Sequence, residues 1–186
     1  MDEMMKRFFG AFFKRMSIAS RASMGRSALA VGGVFGVECY GPDGRLKWKA
    51  EAKNAATDEG LNHVLDVVFH GTSPTATWYI GLITGTGTLA AADTLASHGG
   101  WTEGTSYSGT RKEWTEGAAS SKSMTNSTPV DFACNGSMTV KGAFLCSVDS
   151  GTSGVLFCTA AFSGGDQAVA SGDTLRVTYT LTAAAS

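Results

Sequence analysis

Asp93, His98, Glu103, Glu113 and Glu116 share one glycine- and serine-rich stretch with Trp101, Tyr107, Arg111 and Trp114. Carboxylates beside aromatic rings are what cleavage of a sugar chain requires, one acid to protonate the leaving group and one base or nucleophile. Nothing in the spacing fixes two of these carboxylates at a working distance. A milder use is a binding platform: sugar rings stack on exposed indoles of Trp101 and Trp114, while Glu103, Tyr107, Arg111 and Glu113 supply hydrogen bonds. The structural alternative is that both indoles anchor a long loop to the body of the domain. Other catalytic patterns are incomplete. There is no Gly-x-Ser-x-Gly elbow, and Gly85-Thr86-Gly87-Thr88-Leu89-Ala90 completes neither a dinucleotide nor a P-loop motif. The sequence therefore predicts no catalytic residue and no cofactor, and the chain reads as something other than an enzyme.

Metal chemistry fares similarly. Cys39, Cys134, Cys146 and Cys158 form no Cys-x-x-Cys pair and have no histidine at ligand spacing. They read as small buried hydrophobes in a reducing compartment, with one disulfide or a zinc site as the alternatives. His63 and His70 are seven residues apart, too far along a helix to share an ion without further ligands, so they read as surface or helix-capping residues. Lys47, Lys49 and Lys53 share one strand face and read as a solvated, protected edge, or as a grip on phosphate or carboxylate.

The residues best suited to holding something are at the start. Met4, Met5, Phe8, Phe9, Phe12, Phe13 and Met16 recur at helical spacing, with Lys6, Arg7, Lys14 and Arg15 between them. Residues 3–16 are expected to form an amphipathic helix, and 17–33, rich in Ser, Ala, Gly and Arg, a linker with too little apolar content to fold alone. Residues 1–30 carry six basic side chains against Asp2 and Glu3, whereas the rest carries nine basic and 14 acidic ones. A basic arm on an acidic body points to docking on another chain, with Phe8, Phe9, Phe12 and Phe13 in a groove and Arg7, Lys14 and Arg15 positioning them. Packing on the arm's own domain, a membrane-surface anchor and a transit peptide remain alternatives. A whole-protein nucleic-acid binder would show a basic field on the body itself, so no nucleic-acid partner is expected. No apolar run reaches the ~18 residues of a membrane span, and Lys14 and Arg15 interrupt any secretory pattern.

The elements that must carry these groups are mostly strands. Residues 129–134, 138–148, 155–162 and 174–182 are four apolar runs separated by turn residues. In the last, Leu175, Val177, Tyr179 and Leu181 alternate with polar side chains, the period of a half-buried strand. Residues 34–40 and 46–53 flank Gly41-Pro42-Asp43-Gly44, a strong hairpin signal. Thr57 is placed to cap a helix to about Phe69, with Leu61, Val64, Leu65, Val68 and Phe69 as its buried stripe. Residues 77–84, apolar on both sides of Gly81, read as a central strand. Ala92-Asp93-Thr94-Leu95 and Gly172-Asp173-Thr174-Leu175 echo one another and read as Asp-capped turns entering strands. The expected fold is mainly β, an antiparallel sandwich or jelly roll over residues 31–186, preceded by the arm of residues 1–30. A charged fraction of only 17% with 24 glycines suits β-rich structural proteins better than a cytosolic enzyme.

Several stretches give the chain a familiar look: Gly33-Val34-Phe35, residues 41–48, Asn54, residues 59–62, 77–83, 93–101 and 111–114, 140–145 and 171–179. On these, over about residues 31–182, it resembles a family of small β-rich virion proteins of tailed bacteriophages, which serve as capsid decoration (cement), head or tail structural proteins. The resemblance implies an icosahedral-shell or tail component of the virion, assembled in the host cytoplasm, with no catalytic residues; the expected role is a capsid decoration protein that stabilises the major capsid lattice, with the arm as its anchor. It implies the major capsid protein or other virion subunits as partners, with a homo-oligomer also open. The arm lies outside the resemblance. A tail or head-to-tail adaptor and a carbohydrate-binding module on the Trp101/Trp114 loop are the alternatives.

Overall fold

The structure, a computed structural model, describes residues 29–85 and 87–185. The expected arm helix and most of the linker lie outside the described residues. Val31–Ala184 form a compact unit built from two antiparallel layers.

The first layer starts with a hairpin. β1 (Leu29–Tyr40) and β2 (Leu46–Ala56) run antiparallel with Val37 opposite Ala50. Their turn is the one the sequence signals: the Gly44 amide donates to the Gly41 carbonyl at 2.9 Å, and Gly44 sits at φ +74°, where a side chain would be strained. On the other side of β1 lies β12 (Thr174–Ala185), whose far edge takes β7 (Val130–Ala133) and then β6 (Ser123–Thr125).

β2 links the layers. Up to Lys53 it pairs with β1, and from Asn54 to Ala56 it pairs with β10 (Leu156–Ala161) of the second layer. At the crossover the Asn54 amide is buried, with no hydrogen-bond partner among the described residues. The second layer continues through β9 (Gly142–Cys146) to β3 (Tyr79–Thr84), which takes β4 (Thr102–Gly104) and β5 (Lys112–Glu113) on its outer edge. β3 is thus interior, as its sequence predicts. Gly81 is required there: a Cβ would lie 2.2 Å from the Phe144 ring on the neighbouring strand.

Facing side chains of the two layers form one core around Phe35, Val37, Leu82, Leu145, Leu175 and Tyr179. A second cluster of Ile83, Leu95, Trp101, Phe144, Cys146 and Leu156 lies on the opposite face of β3, β9 and β10, covered by the segment that includes Leu95 and Trp101. Both faces of β9 are therefore dry, and all five of its residues are buried. Its unbroken Gly-Ala-Phe-Leu-Cys run is the composition such a strand needs.

Two sequence expectations change. The run 138–148 is not one strand: β8 (Met138–Val140) pairs with β11 (Gln167–Val169) in a separate ribbon, and the chain re-enters the main sheet at β9. Helix α1 (Asp58–Phe69) has the predicted Thr57 cap, with the Gly60 amide donating to Thr57 Oγ1 at 3.0 Å, and His70 at its C-cap. Of its expected buried stripe only Val64 is half-buried against the main core. Leu61, Leu65, Val68 and Phe69 are 41, 54, 62 and 80% exposed, and Gly60 is the buried residue of the helix. The reason lies at its first turn, where its hydrogen bonds to β10 are made. A Cβ on Gly60 would meet the Phe157 carbonyl at 2.3 Å, the Thr57 hydroxyl donates to the Leu156 carbonyl, and Glu59 accepts from the Leu156 amide at 2.7 Å. The helix is pinned by its N-terminal end, and the C-terminal half is left facing outward.

Candidate functional site

Most of the polar and aromatic residues between 93 and 114 brace the fold, while Trp114, Glu116 and Lys122 also border an apolar groove beside α1. Trp101 and Trp114 are 4 and 2% exposed. Trp101 Nε1 donates to Asp93 Oδ2 at 3.0 Å, with the ring stacked on His98 and packed on Phe144. Trp114 Nε1 donates to Asn126 Oδ1 and the Tyr179 carbonyl, each at 3.2 Å. The exposed indole platform considered from sequence is therefore not formed: both rings are buried as loop anchors. Asn126, which the sequence did not single out, is the hub. Its Oδ1 also accepts the Tyr179 amide at 2.7 Å, and its Nδ2 donates to the Val177 carbonyl at 3.2 Å.

Glu103 and Arg111 form a two-bond fork, and the Arg111 guanidinium also donates to the carbonyls of Val148 at 3.1 Å and Gly151 at 3.0 Å. Burial opposes the charge on Arg111, but Glu103 outweighs it and holds the guanidinium protonated. Tyr107 is buried against Phe132, and burial pushes its hydroxyl well above the usual tyrosine range. Glu113 and Glu116 are exposed on separate short segments. Arg111, Glu103 and Tyr107 hold loop to sheet.

The two echoing turns are one device used twice. Asp93 Oδ2 accepts the Ala90 amide at 3.0 Å, and Asp173 Oδ2 accepts the Ala170 amide at 2.9 Å. Each carboxylate then reaches a second donor, the Trp101 indole or the Lys47 ammonium at 2.6 Å. The expectation holds fully for the second copy, which enters β12; the first leads into another turn. Burial alone would raise the Asp173 carboxyl, but Lys47 and the Ala170 amide outweigh it and hold it below the ordinary value. Lys49 pairs with Glu38, so two of the three β2 lysines are neutralised within the domain.

All four cysteines are free and buried. Burial pushes Cys146 up to about 11 and Cys158 to about 12; Cys39 rises to about 11 by burial and the adjacent Asp173 carboxylate. Among the described residues no cluster of His, Cys, Asp and Glu is arranged to hold a metal ion, and no helix is long and apolar enough to cross a membrane.

Beside α1 lies a groove of about 450 Å³ walled by Val64, Val68, Trp78, Met124, Phe157 and Leu181. His63 closes one side, edge-on to Trp78 and hydrogen-bonded to Thr75 Oγ1 at 3.0 Å. Leu65 and Phe69 are exposed on the same helix, and exposed apolar surface of this kind marks partner sites. The sequence carries a trace of it: Val64, Leu65, Val67, Val68 and Phe69 are apolar around most of the helix, more than one contact with a sheet can cover. Phe8, Phe9, Phe12, Phe13, Arg7, Lys14 and Arg15, the predicted docking residues, lie outside the described part of the chain.

The described part of the chain is a mainly β, antiparallel sandwich with an exposed apolar face. Residues 55–182 match the family described as Podophage GP4 fiber I protein gp80. The chain belongs to that family, and with it to the structural proteins of bacteriophage virions. The matched stretch begins near the end of β2, so the aromatic arm and most of the first hairpin precede it. No curated protein matches the chain.

Proposed function

We propose that this chain is a non-enzymatic subunit of the tail-side fibre apparatus of a phage particle, joined to neighbouring subunits through the apolar face beside α1 and through its aromatic N-terminal arm. The observation that carries the interaction surface is the exposure of Leu65, Val68 and Phe69 next to an apolar groove, in a domain whose Asp93, Glu103 and Asp173 carboxylates and Trp101 and Trp114 indoles are bonded internally. The family description favours the fibre over the head. Capsid decoration is the second reading, favoured by the arm: Phe8, Phe9, Phe12 and Phe13, with Arg7, Lys14 and Arg15, suit a tether that grips a lattice neighbour. Each phenylalanine removed from water contributes about 1.5–3 kcal/mol before the ordering of the linker is subtracted.

Copy number and position in purified particles test both. Quantitative mass spectrometry with immunogold labelling is expected to give about a dozen copies or fewer, as a closed ring or a few fibres require, with label at the tail. Label spread over the head at a copy number matching the shell lattice selects decoration. Absence from the particle sinks both readings.

A further inference from the structure

We infer that the groove beside α1 receives the aromatic N-terminal segment of a second copy of this chain, so that each subunit clasps the next. This rests on the reading of the protein as an interaction subunit and names the partner of its apolar face.

The chemistry on the two sides is complementary. The groove walls are Val64, Val68, Trp78, Met124, Phe157 and Leu181, with Glu116 and Lys122 at the rim. The segment offers four phenylalanines at helical spacing, the pattern of an amphipathic helix laid into a groove. Charge is complementary between segment and body: residues 1–30 carry six basic side chains against two acidic ones, and the remaining residues nine basic against 14 acidic, while the groove's own charged lining, Glu116 and Lys122, is balanced. Opposite net charge steers the encounter of the two parts. Length permits it. Residues 17–28 lie between the aromatic stretch and β1, and twelve residues span at most roughly 40 Å. A donor site and an acceptor site on different parts of one chain make a head-to-tail contact, which closes a ring or extends a filament according to its rotation. Virion structures are built from such repeated copies.

Cysteine cross-linking on the full-length chain tests this. One chain carries Phe12→Cys and a tagged second chain carries Val68→Cys; the native thiols are buried and poorly ionised, so they stay silent. Mixing and mild oxidation are expected to give a mixed disulfide dimer, lost in reductant and lost when Leu65→Asp is added to the tagged chain. Phe9→Cys with Leu65→Cys serves as a second pair. Light scattering is expected to show an oligomer that Val68→Glu reduces to single chains with an unchanged circular dichroism spectrum, since Val68 is 62% exposed. A wild-type monomer, an oligomer that survives Val68→Glu, or cross-linking only within one chain overturns the inference. A chain that is found in particles but shows no such cross-link keeps its virion role and loses this partner.

Discussion

Arg111 and Glu103 meet through two parallel hydrogen bonds, Nε to Oε1 at 2.8 Å and Nη2 to Oε2 at 2.7 Å, with the arginine side chain 5% exposed. The same guanidinium holds the β9–β10 turn through the Val148 and Gly151 carbonyls. Removing one partner leaves a buried charge without its counter-ion. Glu103→Ala is expected to cost about 3 kcal/mol, measured by urea unfolding. Arg111→Lys is expected to recover little, because an ammonium cannot make the fork. A loss below about 0.5 kcal/mol, the level of an exposed pair, would show that the pair contributes little.

Asp173 gives the fold an acid limit. Its carboxyl lies below its unfolded value in the folded chain, so its stabilisation is complete above the unfolded value and is lost as pH falls through the folded one. Glu38, held down by Lys49 and Tyr40, titrates in the same direction. Thermal melts from pH 7 to pH 3 are expected to fall more steeply for wild type than for Asp173→Asn, which still offers the Ala170 amide an oxygen. Parallel curves would remove Asp173 from the account.

The thiols are predicted to be inert while the domain is folded. With Cys39 and Cys146 at about 11 and Cys158 at about 12, the thiolate fraction at pH 8 is roughly 100-fold or more below that of a free cysteine. Iodoacetamide is expected to label all four in urea and none at a comparable rate in buffer. Fast labelling of a native thiol would contradict the burial described.

Ser121 and Lys122 are the non-glycine residues with positive φ among those described, at 52° and 63°, in a two-residue turn where Ser120 and Ser123 exchange both backbone hydrogen bonds at 2.9 Å. That conformation favours Asn-Gly. The pair Ser121→Asn and Lys122→Gly is expected to stabilise the domain by about 1 kcal/mol. Unchanged or lower stability in urea would mean that the side chains present compensate the strain.

The strands were legible because their signals are local. The alternation of Leu175, Val177 and Tyr179, the Gly41–Gly44 turn and the Thr57 cap each act within a few residues, and each appears as expected. The break at Lys141 was not legible. β8 and β9 are both apolar, and what separates them is the choice of partner, β11 for one and β10 with β3 for the other. Trp101 and Trp114 carried an ambiguity of the same origin. An indole in a glycine-rich loop suits a sugar platform or a core anchor, and Asp93, Asn126 and the Tyr179 carbonyl decide it.

By itself the sequence determined the antiparallel β class, the turns, the capped helix and the asymmetric, aromatic start of the chain, because these follow from side-chain period and backbone preference over short spans. The tertiary structure decided which apolar residues are covered. α1 reads as a helix with one buried stripe, yet Thr57, Glu59 and Gly60 fix its first turn against β10 and hold Leu65, Val68 and Phe69 away from the core. Exposure is a property of how elements are joined in space, and period along one helix carries no information about the distance to the next layer.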